Sequence, residues 1–416
     1  MIVKCDACII WEDDALHRMN DKNLTNTKNR LQTPEWILNI KTPHISARHK
    51  IPIYAPYLIG NEKTYVDDAV ATQWLSSKGK FVRKFEDKFA RYCDVPFALS
   101  CSSGTAALFL ALVVAGIQKG DEVIVPTFTM ISTAFAVSYL GATPVFADCE
   151  KESGNIDALA IEKFITKKTK AIMPVHIYGN PCDMDAISEI ARKYRLHVIE
   201  DGAEALGSSY HRKKVGSISE ITTFSLYSNK IVTAGEGGMI TLHSPSLYRK
   251  LKKMNNYAFS NVRHFWHQHL GYNYRLSNIQ AAIGLSQIEH IETTLQRKKE
   301  IAQWYRTLLK PVRDIFIELQ RTPHTKSNHW ITAYRIKDTR FSNLELSRFL
   351  ASKGIETRSF FLPLHLQPVY RKIEYVGKFP NAEELAKTGL LLPSGPGLKE
   401  SEVEFICSII RKYFHA

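Results

Sequence analysis

The stretch FALSCSSGTAALFLALVVAGIQKGDEVIVPT, residues 97–127, decides the fold. Five residues suited to a buried strand (97–101) run into Ser-Ser-Gly, and an unbroken helix of small and apolar residues follows. A second apolar strand, EVIVPT (122–127), comes after a Gly-containing turn. Strand, helix and strand in that order make a βαβ unit, whose strands are parallel and covered on both faces. Outward from it the alternation continues through TPVFAD (143–148), KAIMPVHIYG (170–179) and LHVIED (196–201). ITTFSLY (221–227) and GGMITL (237–242) complete seven strands, so the fold class is α/β with a mostly parallel seven-stranded sheet.

On the N-terminal side, KFVRKFEDKFARYC places Phe81, Val82, Phe85 and Phe89 on one helical face. Beyond about residue 295 the strand signals thin to HWITAYRI, between a long polar helix and a terminal helix over ESEVEFICSIIRKYF. The expected organisation is an extension of unknown role (1–50), a large domain (51–295) and a smaller C-terminal α+β domain (296–416).

Composition excludes several classes. The 416 residues are 44% hydrophobic and 23% charged, which suits a globular protein with two cores. No apolar run reaches 18 residues and no signal-peptide pattern opens the chain, so a cytoplasmic enzyme with no membrane partner is expected. Seven cysteines in such a length make no disulfide framework, and Cys5 and Cys8 lack the second pair that zinc requires; no metal site is expected. The net charge of +14 favours anionic partners. Its densest cluster, RKLKKM (249–254), reads better as a solvated helix face than as a nucleic-acid site.

Three features recur in order. Gly104 and Thr105 stand at a helix start, where free backbone N–H groups suit a phosphate, although Ser103 could simply cap that helix. Asp201 closes a buried strand at its carboxyl end, as a ligand-facing acid or as a helix cap. Lys230 lies in FSLYSNKIVTAGEGGMI (224–240), after a strand and before a glycine-rich turn. Held at a buried strand end, its amine would lose charge and become nucleophilic; alone, a solvated loop lysine explains it as well. Together the three match the phosphate, ring nitrogen and aldehyde of pyridoxal 5′-phosphate.

With those residues in place, the chain from about 51 to 416 resembles the DegT/StrS-type sugar-nucleotide aminotransferases, which are fold-type I PLP-dependent transferases. The resemblance is carried by SSGTAALFLALVVAGIQKGDEVIVPTFT, KAIMPVHIYGNPCDMDAI, VIEDGAEALGSSY, FSLYSNKIVTAGEGGMI and GYNYRLSNIQAAIGLSQIE, and more weakly by IETRSFFLPLH. It implies that Lys230 binds the cofactor covalently and shuttles the proton, while Asp201 pairs with the ring nitrogen. It further implies that Glu204 meets the phenolic oxygen, that Ala203 and Met130 pack on the ring, and that Gly104, Thr105 and Ser225 hold the phosphate. Asn273 is expected to reach the neighbouring subunit's cofactor, which requires a homodimer. Arg263, Phe265, Trp266 and His365 are expected to line the nucleotide-sugar side.

Relatives usually carry an aromatic ring where Met130 stands, a phenylalanine at Leu226, and alanine or cysteine at Gly202; none of these changes removes a proton-transfer group. The implied reaction moves an amino group from L-glutamate to C4 of a nucleotide-linked 4-keto-6-deoxyhexose, with GDP-4-keto-6-deoxymannose ahead of dTDP- or UDP-linked 4-keto-6-deoxyglucose. A PLP-binding regulator without turnover is the alternative from another class.

Overall fold

The computed structural model describes residues 51–260, 262–263, 265–370 and 377–415. The extension over 1–50, with Cys5 and Cys8, lies outside the described residues. Seven strands build the main sheet: β1 (Phe97–Cys101), β2 (Glu122–Pro126), β3 (Thr143–Ala147), β4 (Thr169–Ile172), β5 (His197–Asp201), β6 (Ile221–Ser225) and β7 (Gly238–Leu242). Their order is β1-β7-β6-β5-β4-β2-β3. The pairs β2–β3, β2–β4, β4–β5 and β5–β6 are parallel, and β7 runs antiparallel to both its neighbours. Consequently β1, β2, β5 and β6 all point their carboxyl ends to one edge, where open α/β sheets bind ligands.

Strand ends differ from the sequence reading in one instructive place. The run read as a strand over 170–179 leaves the ladder after Ile172. Pro174 has no N–H to donate, and the chain turns instead through Ile177–Gly179, with Tyr178 at φ 51°. A single bridge, Val175 to Asp201, keeps this turn against the end of β5.

Two helices seat the sheet. Helix α1 (Lys80–Tyr92) buries Phe81, Phe85 and Phe89 on one face, and Phe89 meets Phe224 of β6 at 5.2 Å. Helix α2 (Gly104–Ala115) is apolar all round and buried from Ala106 to Leu112, as a helix enclosed between layers must be. Ser103 caps it by accepting from the Ala106 amide at 3.1 Å, and Gly116 ends it at φ 86°. Helix α3 (Ser132–Ser138) follows β2, and α4 (Asn278–Glu289) crosses α1. At Gly284 of α4 a Cβ would come within 2.6 Å of the Phe85 ring, so glycine permits that crossing.

A four-stranded antiparallel sheet lies beyond: β8 (Phe316–Glu318), β9 (Thr332–Ile336), β10 (Arg358–Ser359) and β11 (Gly389–Leu392), in the order β8-β9-β11-β10. Helices α5 (Ile291–Leu308) and α6 (Glu400–Tyr413) cover it, burying Tyr305, Phe316, Leu350 and Ile406 in a second core. Ile51 joins that core and bridges to Ile355. Trp330, Phe360 and Leu364 pack instead into the core of the main sheet, which brings this region over the ligand edge.

Phe85→Ala should cost about 3–5 kcal/mol, because Gly284 offers no side chain to fill the cavity. Denaturant unfolding checks this; a loss below about 1 kcal/mol would show that α1 and α4 repack freely.

Candidate active site

Asp201 ends β5 with 3% of its surface exposed. Its Oδ2 accepts from the Thr133 hydroxyl at 2.8 Å, and its Oδ1 accepts from the Ala203 amide at 3.1 Å. Burial pushes its carboxyl up, and those two donors draw it partly back. Among the described residues no cation lies within 4.0 Å of it.

Glu204 sits one turn further on, also buried, with Oε2 accepting from the Tyr178 amide at 2.7 Å. Lys230 Nζ lies 3.9 Å from Glu204 Oε1 and 3.9 Å from the centre of the Trp330 ring. Burial lowers the lysine's pKa and raises the Glu204 carboxyl to about 7. For both groups, desolvation outweighs the attraction between them, so burial shifts the lysine and the carboxyl toward their neutral forms.

Lys230 does not extend from a strand, as the sequence reading had it. The strand β6 stops at Ser225, and a turn closed by the Lys230 amide on the Tyr227 carbonyl carries the lysine. Two long-range bonds lock that turn. Tyr54 donates to the Lys230 carbonyl at 3.2 Å, and the Trp330 ring N–H donates to the Asn229 carbonyl at 2.6 Å.

The start of α2 closes the site. A Cβ on Gly104 would stand 2.9 Å from the Cβ of Ser225, so glycine lets the ends of β1 and β6 converge. Thr105 stands beside it, half-buried. The Ser102 amide, just before the cap, donates to the Tyr274 carbonyl at 2.7 Å. Gly104, Thr105, Asp201, Ala203, Glu204, Ser225 and Lys230 thus gather at the ends of three adjacent elements.

The other expected residues make the following contacts within the single chain. Met130, 52% exposed, precedes α3 by two residues, and its carbonyl accepts from the Thr133 amide at 3.3 Å. Asn273 is exposed and bridges to Asn256. Arg263 stacks on Trp266 at 5.5 Å in a projecting arm where Phe265 is 75% exposed. His365 is buried: its Nδ1 bonds Thr127 Oγ1 at 2.8 Å, and its Nε2 lies 3.5 Å from Glu383. Burial lowers its pKa against the pull of Glu383. Sequence reasoning missed Tyr54, Thr133, Tyr178 and Trp330. Thr133 lies inside helix α3, seven residues past β2, and none of the four carries a signal in the sequence.

Residues 56–411 match the DegT/DnrJ/EryC1/StrS aminotransferase family. The chain belongs to this family. It is 44% identical over 364 residues to GDP-perosamine synthase of Escherichia coli O157:H7, covering 88% of this chain and 98% of that protein. To GDP-perosamine synthase of Vibrio cholerae it is 39% identical over 368 residues, covering 88% and 99%. Among solved structures, the PLP form of the putative sugar aminotransferase Spr1654 from Streptococcus pneumoniae superposes with a TM-score of 0.82 at 27% identity, covering 87% of this chain and 98% of that one. Family membership makes the protein a PLP-dependent sugar aminotransferase of fold type I. The residues fit that cofactor: a buried carboxylate with no cation within 4.0 Å suits a protonated ring nitrogen, and a largely buried amine suits an aldehyde.

In cofactor-free protein, the raised Glu204 pKa means that the folded state keeps a proton which the unfolded state releases between pH 4.5 and about 7. Stability from this group is full below that window and lost across it as pH rises. Glu204→Gln should remove up to about 3 kcal/mol of the fall. Unfolding curves through the window check this; an equal fall in the variant would contradict it.

Proposed function

We propose that the protein transfers the amino group of L-glutamate to C4 of GDP-4-keto-6-deoxy-D-mannose, giving GDP-perosamine. The observation that carries the reading is the placement of a desolvated lysine amine 3.9 Å from Glu204, with buried Asp201 on the same edge. Similarity to two GDP-perosamine synthases over nearly their whole length supports the choice of sugar.

Pyridoxal 5′-phosphate supplies an electron sink for the carbon that loses its proton. Asp201, held by Thr133 and Ala203, keeps the ring nitrogen protonated. Lys230, whose amine burial shifts toward the neutral form, would hold the aldehyde and would move the proton at the sugar carbon. Glu204 would hydrogen-bond the phenolic oxygen, and Gly104, Thr105 and Ser225 would hold the phosphate at the start of α2. Ala203 and Met130 flank the ring, and the methionine thioether can replace the aromatic contact of relatives.

Asn273, Phe265 and Trp266 are exposed on the single chain, which supports a homodimer in which each subunit completes its neighbour's site. Burial of His365 under Thr127 and Glu383 favours a strut beside the sugar pocket over direct nucleotide contact. The two separate cores support a division into a cofactor domain (51–295) and a small domain (296–416). Among the described residues no helix is long and apolar enough to cross a membrane, which agrees with a cytoplasmic enzyme.

A second reading keeps the chemistry and changes the base. A dTDP-3-amino-3,4,6-trideoxy-α-D-glucose transaminase of Streptomyces venezuelae is 34% identical over 338 residues. Assay with GDP-, dTDP- and UDP-linked 4-keto sugars should give high kcat/KM with the GDP substrate alone. Comparable rates with dTDP sugars would favour the second reading. Lys230→Ala should abolish both the yellow band of the bound cofactor and turnover; an active variant would remove the basis of the proposal.

A further inference from the structure

One pair of buried ionisable side chains has no part in the chemistry above. Glu200 immediately precedes Asp201, and alternation along β5 turns it to the opposite face of the sheet. It and His176 are fully buried, with Nε2 and Oε2 2.8 Å apart. The other ring nitrogen, Nδ1, accepts from the Cys182 amide at 3.1 Å, so the ring proton sits on Nε2 and points at Glu200. The second carboxylate oxygen accepts from the Ser219 amide at 2.7 Å and the Thr222 hydroxyl at 3.1 Å. Every polar atom of this pair has a partner, and none of those partners is the cofactor site.

The backbone of His176 is where the two faces meet. Its amide donates to the Asp201 carbonyl at 3.2 Å, and the Asp201 amide donates to the Pro174 carbonyl at 2.9 Å. Two residues later, the Tyr178 amide donates to the Glu204 carboxylate. To aim that amide, Tyr178 adopts φ 51°, a left-handed conformation that costs a bulky residue about 1–3 kcal/mol unless its surroundings hold it. The His176 ring, fixed to Glu200 on one side and to Cys182 on the other, anchors the entry to this turn. Asn155 and Ser208 hold its exit, bonding the Ile177 amide at 3.1 Å and the Gly179 carbonyl at 2.7 Å. Losing the histidine pair therefore loosens the turn without unfolding it.

We infer that His176 and Glu200 form a positioning pair for the cofactor acids: they fix the 174–179 turn so that the Tyr178 amide stays on Glu204 and the end of β5 keeps Asp201 against Thr133. The inference rests on the reading of Asp201 and Glu204 as cofactor contacts. Glu204 is faced by Lys230 and Asp201 as well as by the Tyr178 amide, so a loosened turn leaves the carboxylate without its nearest donor while both charged neighbours remain.

Glu200→Gln, which preserves size but sets an amide against donors, and His176→Phe, which fills the space without bonding, test the inference in the full chain. Ile406→Ala, in the second core, serves as a control of matched stability loss. In cofactor-free protein, hydrogen exchange at the His176 and Tyr178 amides should quicken at least tenfold in Glu200→Gln and not in the control. The dissociation constant for added pyridoxal 5′-phosphate should rise about tenfold, and the circular-dichroism band of the bound cofactor should change shape. Should His176→Phe fail to fold, Glu200→Gln carries the same three readouts. Exchange, affinity and band all equal to the control would overturn the inference while leaving the aminotransferase reading intact. Failure of the unaltered protein to bind pyridoxal 5′-phosphate would overturn both.

Discussion

A carboxylate buried without a cation is the constraint on which the site depends. Asp201 is 3% exposed and has only a hydroxyl and an amide as partners. Burial outweighs those two donors and the more distant attraction of Lys230, and its pKa rises. On the proposed function, the protonated ring nitrogen of the cofactor would supply a positive partner. The parallel sheet makes the arrangement possible: it sends the ends of β1, β2, β5 and β6 to one edge, so that a phosphate cup, an acid and a lysine from distant parts of the chain meet there.

The same desolvation sets the working state of the amine. In water a lysine holds its proton tightly; where burial strips that water from Lys230, the neutral form gains. Glu204 moves the opposite way for the same reason. Burial thus moves an acid and a base, normally several pH units apart, toward each other. Proton transfer during transamination needs that match more than it needs a strong base.

Much of this was legible in the chain. All seven strands of the main sheet lie within a residue or two of their apolar runs, except the one that Pro174 cuts short. Asp201, Lys230 and the Gly104–Thr105 cup could be read because each stands close to the point where an apolar strand gives way to a loop or helix. The loop geometry of Lys230 could not, because the bonds that shape it come from Tyr54 and Trp330, 176 and 101 residues distant from their partners. Nor could the contacts of His365, since nothing in its loop motif signals the bond from its ring to Thr127 at the end of β2. Tyr178 was hidden by a strand pattern whose last residues actually form a left-handed turn.

The central claim is that one amine, and no other, takes the cofactor. Reducing the cofactor-loaded protein with borohydride fixes any such bond, and peptide mass spectrometry then locates it. The phosphopyridoxyl mass should appear on the peptide containing Lys230. The other buried lysine of the described chain, Lys298, lies under Tyr54 with its amine on the Ser394 carbonyl, and its peptide should remain unmodified. Label on Lys298, or none on Lys230, would contradict the account.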